Sequence, residues 1–459
     1  MARLHWLFLA ALAVLVSLPP AVPAAAEGDY VAVATLRGII NPPAASYVDR
    51  ALTEAERSGA QLFVLQLDTP GGLDSSMRQI VQRILRSTIP VVVYVWPPGA
   101  RAGSAGVYIA YAAHVAAMAP NTNIGSATPV AMGEGGEARL SEEMRNKVTN
   151  DAVAYIRGLA ARNGRNADWA ERAVREAINS TESEALAQGV ITCVAADLRD
   201  LLRQLDGVTV PVAAPEGAVS PTREVTIHAA GLPVRTLEMQ PLESLLHAIT
   251  DPTIAYLLLS LGMLALIYEL SNPGAILPGV VGGVALLLAL YALGTLPVNL
   301  AGLLLIAFAM VLFLIDLVAP SHGILTAGAL VAFLLGSAIL INTPEGAPFL
   351  AIAPAAIVAM TLLFALLFGL IVGSVWRAHR RRPAVGRQVL LGRRGVAREP
   401  LNPTGLVWID GELWTATVTS GVVPPGEEVE VVGVEGLHLR VKPAPRKLGD
   451  PALPARHTA

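Results

Sequence analysis

Ser104 stands in a setting that suits nucleophilic chemistry. It lies among the small residues of segment 99–106, directly after an apolar run at 91–95 and before a helix-like run at 107–117. A serine nucleophile needs little steric cover and gains from the positive end of a nearby helix, and this setting offers both. A serine in the same place would equally serve as the N-cap of that helix. The residues alone leave both interpretations open.

A pair of glycines, Gly71 and Gly72, follows another apolar run at 62–67. Because glycine has no Cβ, the backbone N–H groups of such a pair can approach a ligand closely. An ordinary strand-to-helix turn would use the same residues. Ser126, in the polar turn 119–129, is a second candidate nucleophile.

The elements that must position these residues alternate between two patterns over 29–205. Strand-like and helix-like runs follow one another at 30–36, 46–59, 62–67, 75–85 and 91–95. Such alternation predicts an α/β domain with a largely parallel sheet, whose functional loops lie at the carboxyl ends of the strands. The glycine pair and Ser104 both stand at such ends. We therefore predict an α/β domain at 27–206.

Charged residues are scarce in one long stretch of the chain. They make up 15% of all residues and hydrophobic residues 53%, whereas a soluble chain carries about 25% charged residues. The deficit falls on five apolar runs separated by short turn-forming breaks, at 253–270, 275–295, 298–318, 323–341 and 350–375. Runs of this kind predict membrane spans. We therefore predict an α-helical transmembrane region of about five helices at 251–376.

The remaining segments form a linker, a small β domain and two termini. Residues 207–250 contain spaced prolines and predict an extended linker with short strands. About five short strands punctuated by glycines predict a small all-β barrel at 384–445, followed by a disordered tail at 446–459. Residues 1–26 have a positive start, an apolar core and a small-residue end, which is the pattern of a cleaved signal peptide. An uncleaved anchor is the alternative.

The orientation in the membrane follows from the charges at one end of the spans. Four arginines directly follow the last apolar run: Arg377, Arg380, Arg381 and Arg382. Positive residues next to a span mark its cytoplasmic side. A signal peptide and five spans agree with this placement. The protein is therefore predicted to be a multi-pass protein of the cell membrane, with the α/β domain outside the cytoplasm and the C-terminal barrel inside.

Cysteine and charge usage exclude several classes. The single cysteine, Cys193, excludes an intramolecular disulfide and a cysteine-based zinc site. It lies in the apolar run 189–194 and is predicted to be a buried strand residue rather than a nucleophile. The net charge of −3 gives no basic excess for binding nucleic acid. We expect no metal and no cofactor.

The order of three short motifs carries a family resemblance. Pro-Gly-Gly at 70–72, Gly-Ser-Ala-Gly at 103–106 and Ile-Gly-Ser-Ala at 124–127 follow one another, an order that resembles the ClpP/crotonase superfamily. With the multi-span region, the run 251–279 and the small C-terminal domain, nearly the whole chain resembles the long form of the NfeD family of membrane-bound serine proteases. The resemblance implies a ClpP-like protease domain and a C-terminal OB-fold domain.

The resemblance also implies a catalytic Ser–Lys dyad. The family nucleophile is the serine of the Ser-Ala-Gly turn, here Ser104, and the base is a lysine in a Lys-Val-Thr-Asn context, here Lys147. A lysine acts as a base only when it is uncharged, which burial in an apolar cleft favours. The oxyanion would be held by backbone N–H groups of Gly72 and Ala105, with Gly71 as a further candidate. His114, the histidine within this domain, is the alternative base.

Substrates and partners are implied in the same way. Proteases of this family cleave apolar sites, including the hydrophobic C-terminal region of stomatin-like proteins, and superfamily members commonly form homo-oligomers. We expect a stomatin/SPFH-like membrane partner, peptide substrates with apolar runs, and membrane lipid around the spans. The barrel lacks the aromatic and basic groove of nucleic-acid-binding OB folds, so we expect a protein-interaction module.

Two other function classes stay open. One is a non-catalytic scaffold that organises membrane microdomains with a stomatin- or flotillin-like partner. The other is a crotonase-type acyl-CoA enzyme, which the signal peptide disfavours because CoA substrates are cytoplasmic.

Overall fold

A computed structural model describes residues 29–130, 141–214, 218, 220–272, 274, 276–319, 321, 323–343, 348–380 and 390–445. The predicted signal peptide at 1–26 and the predicted tail at 446–459 lie outside the described residues, as do 384–389 of the predicted barrel. Both terminal assignments stay predictions. The chain divides into two compact units, Met1–Phe368 and Gly369–Ala459.

The N-terminal part alternates strands and helices. Its strands are β1 (Val31–Arg37), β2 (Leu62–Asp68), β3 (Val91–Val95), β4 (Arg101–Gly103), β5 (Val115–Met118), β6 (Asn123–Gly125), β7 (Asn179–Thr181), β8 (Cys193–Val194), β9 (Thr209–Ala213), β10 (Thr222–Thr226) and β11 (Val234–Thr236). Its helices are α1 (Pro42–Arg57), α2 (Asp74–Leu85), α3 (Ala105–Ala112), α4 (Glu142–Arg162), α5 (Ala167–Arg175), α6 (Glu182–Ala187), α7 (Leu198–Leu205) and α8 (Pro241–Ile249).

The main sheet of this part has six strands in the order β11-β1-β2-β3-β5-β8, and every neighbouring pair is parallel. Its strands are apolar runs, and all five residues of β3 are buried. Continuous apolar strands are the pattern of a parallel sheet covered on both faces. The predicted α/β class is confirmed, and the loops that follow β2 and β3 lie at the same edge of the sheet.

A second, three-stranded sheet holds the turn that carries Ser104. β4 pairs with β6 in parallel, and β6 pairs with β7 antiparallel. In this register Gly103 stands opposite Gly125, so the residue after β4 is placed beside the end of β6. The segment predicted as a linker, 207–250, contributes an antiparallel β9–β10 pair, the strand β11 beside β1, and the helix α8.

The helix predicted at 107–117 is wrong in its extent. α3 ends at Ala112, and β5 begins at Val115 between β3 and β8. Alanines favour a helix locally, but pairing with two buried strands decides the structure of this segment.

Five apolar helices follow, where the five apolar runs predict them. They are α9 (Pro252–Ser271), α10 (Ile276–Leu293), α11 (Leu300–Val318), α12 (Ile324–Ile339) and α13 (Pro354–Arg380). Within the described part of the chain, four of these helices are long and apolar enough to cross a membrane. The other, α12, is shorter, with 16 residues. The count of five crossings stays a prediction.

Glycines bring these helices together as two hairpins. A Cβ at Gly262 of α9 would lie 3.0 Å from the carbonyl oxygen of Gly282 of α10, and a Cβ at Gly282 would lie 2.9 Å from that of Gly262. Gly302 of α11 and Gly336 of α12 approach each other in the same way, at 3.0 and 2.8 Å. Small residues allow this close approach of helix backbones in membranes.

The loops of the bundle meet at the end where α9 begins. Val298, before α11, forms a bridge with Ile341, after α12. The N–H of Ala353, before α13, donates to Thr253 Oγ1 in the first turn of α9, at 3.1 Å. Residues 340–343 and 348–353 therefore stand beside the junction with the N-terminal domain.

That junction is held by polar contacts between α1 and α8. Arg50 of α1 donates twice to the carboxylate of Glu243 of α8, at 2.8 and 2.7 Å. Asn41, the N-cap of α1, donates to Thr250 Oγ1, and its Oδ1 lies 2.9 Å from His247 Nδ1. These contacts connect the N-terminal domain to the start of the helical bundle.

The second unit contains a closed barrel of five strands. They are β12 (Arg394–Ala397), β13 (Thr404–Ile409), β14 (Glu412–Val418), β15 (Glu428–Glu435) and β16 (His438–Pro443). The order around the barrel is β12-β13-β14-β16-β15, with β14 and β16 parallel. Alternating apolar side chains such as Val407, Val429 and Leu439 fill its interior. The predicted OB-fold barrel is confirmed.

Candidate active site

Ser104 stands on the turn between β4 and α3 with φ +50° and ψ −112°. A residue other than glycine rarely adopts a positive φ, and such strain occurs preferentially at functional turns. The N–H of Ser104 donates to the carbonyl oxygen of Gly125, 3.1 Å away, which ties the turn to β6. Within the described residues its hydroxyl makes no capping hydrogen bond to α3. The half-buried side chain is therefore not used as a helix cap.

The glycines around Ser104 allow two loops to pack backbone against backbone. Gly71 has φ +127°, and a Cβ there would lie 2.7 Å from Ser104 Cβ. A Cβ at Gly103 would lie 2.9 Å from the carbonyl oxygen of Pro70. Contacts this short require residues without side chains, so the glycine motifs position Ser104 beside the loop that follows β2.

Two backbone N–H groups near Ser104 are available to an oxyanion. Among the described residues, no hydrogen bond takes up the N–H of Gly72 or of Ala105, the first residue of α3. The N–H of Gly71 instead donates to Thr69 Oγ1, at 3.0 Å. A helix N-terminus such as that of α3 also attracts negative charge. The geometry therefore favours Gly72 and Ala105 over Gly71 as donors.

Lys147 lies on α4 and shares one cleft with Ser104. The cleft has a volume of about 590 Å³. Residues from α2, α3, α4 and the loops between them line it, including Leu73, Met77, Arg78, Tyr108, Val130, Met144, Val148 and Asp151. Ser104, Lys147, Gly72 and Ala105 therefore all border the same space, and many of its walls are apolar.

The side chain of Lys147 is exposed in this cleft. Within the part of the chain that the structure describes, no hydrogen bond joins it to Ser104. Two apolar neighbours on the same helix are exposed as well, Met144 by 45% and Val148 by 37%. The burial that a lysine base requires is thus not supplied by the residues described. The structure brings the predicted pair to one cleft without joining the two groups.

Arg78 connects α4, the helix that carries Lys147, to α2, which begins two residues after Gly72. From α2, its guanidinium donates to Asp74 Oδ2 and to Asp151 Oδ2 on α4, each at 2.8 Å. It also lies 4.4 Å from the ring centroid of Tyr155 on α4. No sequence motif indicates this link, because its partners come from helices separated in the chain.

Ser126, the second candidate nucleophile, is placed differently. It has φ +53° and is exposed. Its Oγ accepts from Asn179 Nδ2 at 2.8 Å, which joins the turn after β6 to the start of β7. It is absent from the described residues that line the Lys147 cleft. Its contacts are those of a structural turn.

His114, the alternative base, lies beyond the far end of α3. The eight residues of that helix separate it from Ser104 by roughly 12 Å along the axis. Its Nδ1 accepts from the N–H of Val91, at 3.0 Å. Burial, with Arg162 and Arg165 nearby, lowers the pKa of His114 to about 4. Its position and contacts make it a structural residue of the sheet edge.

Cys193 and the acidic residues add no second reactive centre. Cys193 lies in β8, as predicted, but it is half-buried rather than buried, and desolvation raises the pKa of its thiol to about 11. A thiolate nucleophile is therefore disfavoured. In the described segments no group of three or more His, Cys, Asp or Glu side chains could hold a metal ion.

Three family models match the chain. The NfeD1b N-terminal domain matches residues 31–201, the NfeD integral membrane domain residues 253–374, and the NfeD-like C-terminal, partner-binding domain residues 387–443. These three matches follow the α/β domain, the apolar helices and the barrel in order.

Relatives align over nearly the whole chain. Membrane-bound protease PH1510 of Pyrococcus horikoshii is 37% identical over 418 residues, which cover 90% of this chain and 93% of that protein. Membrane protein NfeD1b of Bacillus subtilis is 28% identical over 448 residues, which cover 91% of this chain and 94% of that protein. The solved structure of 1510-N, a membrane protease specific for a stomatin homolog from Pyrococcus horikoshii, is 38% identical, covers 49% of this chain and 100% of its own, and has a TM-score of 0.41.

Proposed function

Because this chain belongs to the NfeD family, we propose that it is a membrane-anchored serine endopeptidase with Ser104 as nucleophile and Lys147 as general base. The three matching domains and the 37% identity to a membrane-bound protease over 90% of the chain place it in the family. The observation that supports the chemistry most is that a serine on a strained turn and a lysine line one cleft.

The first chemical step is the acylation of Ser104. Uncharged Lys147 takes the hydroxyl proton as Oγ forms a bond to the substrate carbonyl carbon. The carbonyl oxygen becomes an oxyanion and accepts from the N–H groups of Gly72 and Ala105. Removal of one such donor typically costs about 3 kcal/mol in the transition state.

Collapse of the intermediate completes the acylation, and hydrolysis of the acyl-enzyme then restores the free enzyme. The tetrahedral intermediate collapses, the peptide C–N bond breaks, and Lys147 returns its proton to the leaving amine. Water then attacks the Ser104 ester with Lys147 again as base, the C–Oγ bond breaks, and Lys147 returns the proton to Ser104 Oγ as the acid product leaves.

An apolar substrate segment would complete the site around Lys147. Met144 and Val148 flank the lysine and are exposed in the free protein. A segment that lies across them removes both side chains and the amine from water, and exclusion of water favours an uncharged amine. The exposed lysine and the preference for apolar substrates thus have one explanation.

The proposed partner rests on the family membership, and the proposed orientation rests on the signal peptide, the five predicted spans and the arginines after the last span. The relative 1510-N is a protease specific for a stomatin homolog, and we assign a stomatin-like membrane protein to this chain as substrate and partner. The barrel matches a partner-binding domain and would hold that partner. The N-terminal domain would face outside the cytoplasm, and the barrel would face inside. Homo-oligomer formation stays a prediction.

The full chain in detergent, incubated with a peptide that contains an apolar run, tests the dyad. We expect Ser104→Ala and Lys147→Ala each to abolish cleavage, because each removes one member of the proton transfer. Ser126→Ala, a serine on a similar positive-φ turn, and Lys442→Ala, in the barrel, are the matched controls and should cleave as the wild type does. Labelling of Ser104 by a fluorophosphonate provides a second readout.

The outcomes separate the candidate functions. Cleavage that survives both Ser104→Ala and Lys147→Ala would remove the dyad. Absence of cleavage and of labelling in every version would favour the non-catalytic scaffold.

A further inference from the structure

The loop after α12 brings an aromatic side chain to the reactive serine. The short 3-10 turn Pro348–Leu350 in this loop carries Phe349. Phe349 Cζ and Ser104 Oγ both lie within 3.5 Å of the point where a Cβ of Gly71 would stand, at 3.5 and 3.1 Å. The space left open by a glycine is therefore shared by the nucleophile and by a residue of the membrane region.

The loop is anchored on the C-terminal side of Phe349. Leu350 is 2% exposed and lies with Asn41, Gly72 and Leu296 around a small cavity. Ile352 is also buried, and the N–H of Ala353 donates to Thr253 Oγ1. Phe349 itself is half-buried, so it is held near Gly71 while part of its ring stays accessible.

Phe349 borders Ser104 from a different side than Lys147 does. Among the described residues, Gly71 and Phe349 are absent from the lining of the Lys147 cleft, whereas Ser104 belongs to it. A peptide whose scissile bond lies at Ser104 therefore extends from that cleft on one side and towards Gly71 and Phe349 on the other.

We propose that Phe349 forms a substrate subsite that selects an apolar side chain next to the scissile bond. The inference rests on the proposed protease function and adds a specificity-determining residue to it. An aromatic ring beside the serine offers dispersion contacts and no hydrogen-bond acceptor, so it favours aliphatic or aromatic substrate residues over polar ones. The membrane region thus supplies part of the substrate site of the N-terminal domain.

The subsite is tested by combining Phe349 variants of the full chain with alanine-substituted peptides. The wild type cleaves an apolar-run peptide, and mass spectrometry locates the scissile bond. Each apolar residue that flanks the bond is then replaced by alanine. We expect Phe349→Ala to lower kcat/KM about tenfold for the apolar peptide, since a single apolar contact contributes roughly a factor of ten. For the peptide whose alanine replaces the residue that contacts Phe349, kcat/KM should change little. Phe349→Leu should retain most of the activity.

Binding provides a readout that does not depend on catalysis. In the Ser104→Ala background, the Kd of a fluorescent apolar-run peptide should rise about tenfold with Phe349→Ala, and that of a fully alanine-substituted peptide should not change. Phe308→Ala, an exposed phenylalanine of α11, is the matched control and should leave both affinities unchanged. Absence of cleavage by the wild type would contradict the proposed protease function. The Kd measurement would still test the subsite, because it does not require cleavage.

Two results would overturn the inference. One is equal binding and cleavage of all peptides by the wild type and by both Phe349 variants. The other is a Phe349→Ala variant that cleaves every peptide faster to the same extent, because that would make Phe349 a block rather than a subsite. Size-exclusion profiles equal to the wild type show that the variants are folded.

Discussion

The position of Ser104, the proposed nucleophile, depends on neighbours that have no side chain. Gly71 combines φ +127° with a position where a Cβ would meet Ser104 Cβ at 2.7 Å. The turn itself is strained, since Ser104 has φ +50°. A change at Gly71 therefore acts on the reactive hydroxyl although Gly71 performs no chemistry.

We expect Gly71→Ala to reduce kcat/KM for the apolar-run peptide by about a hundredfold, the cost of displacing a reacting group by roughly 1 Å. The unfavourable φ should also lower the free energy of unfolding by about 1–3 kcal/mol. Gly99→Ala is the matched control, because Gly99 has φ +89° but open space around its Cβ position. It should share the stability loss and keep its activity. Equal activity losses in the two variants would contradict the steric explanation.

His114 predicts a dependence of stability on pH. Burial lowers the pKa of His114 to about 4, whereas an unfolded histidine has a pKa of about 6.5. Between these values the unfolded chain binds more protons, so the native state loses stability as pH falls from about 6.5 to 4. The loss approaches about 3 kcal/mol at its largest.

Melting temperatures of the full chain at several pH values between 7.5 and 4.5 check this dependence. His114→Gln, which can still accept from the N–H of Val91, should show a smaller fall with acid than the wild type. His228→Gln, an exposed histidine, should follow the wild type. A His114→Gln curve parallel to the wild-type curve would show that this imidazole does not control acid stability.

At the scale of elements, the position of α4 decides whether the dyad can form. α4 carries Lys147 and is held to α2 by the contact of Arg78 with Asp151, while Asp74 of α2 orients the guanidinium. Both carboxylates are largely exposed, at 68% and 69%. Exposed ion pairs contribute at most about 1 kcal/mol each, so this link matters for placement more than for stability.

We expect Arg78→Met to lower kcat roughly tenfold or more while the melting temperature changes little, because α4 loses its connection to α2, the helix that follows Gly72. Arg157→Met is the matched control. Arg157 also contacts two carboxylates, Asp168 and Glu171, but joins α4 to α5 away from the cleft. Steady-state kinetics on both variants measure the effect. Equal kcat values for the two would contradict a positioning role for Arg78.

Local sequence patterns predict helices and strands better than they predict the tertiary contacts between them. The run at 62–67 corresponds to β2, and the apolar runs after residue 253 correspond to helices. α1 begins at Pro42, earlier than predicted, because Asn41 caps it. The extent of α3 was missed because sheet pairing overrides the helical tendency of alanines.

The candidate site was predictable only in part. Ser104 and the glycines are marked by local sequence, whereas Lys147 is implied only by the family resemblance. Arg78 meets Asp151 across 73 residues, which no periodicity predicts. Phe349 reaches Gly71 from the membrane region, and the exposure of Lys147 depends on what lies across α4. These features arise from tertiary packing.

At the scale of the whole molecule, the barrel is built to act separately from the cleft. Its buried residues form their own cluster, apart from the clusters of the N-terminal domain. The barrel also matches a partner-binding domain. Capture of a partner and cleavage of a short peptide should therefore be separable.

We expect removal of residues 384–459 to leave cleavage of the apolar-run peptide within about twofold and to abolish capture of a stomatin-like membrane protein, since the barrel has its own buried core and matches a partner-binding domain. The arginines at 377–382 stay in place and preserve orientation. Affinity capture and peptide kinetics on the same preparation check both effects, with the free barrel as competitor. Loss of peptide cleavage together with capture would contradict this separation.

As one of the five predicted spans, the short helix α12 has a consequence for the lipid around the protein. Its 16 residues rise about 24 Å, less than the hydrocarbon thickness of about 30 Å of a typical bilayer. A bilayer accommodates such a mismatch by thinning, or the protein accommodates it by shifting its ends. The end of α12 leads into the segment that carries Phe349. The acyl-chain length of the surrounding lipid would then shift the segment that carries Phe349 and so change which peptides are selected, without any lipid entering the cleft.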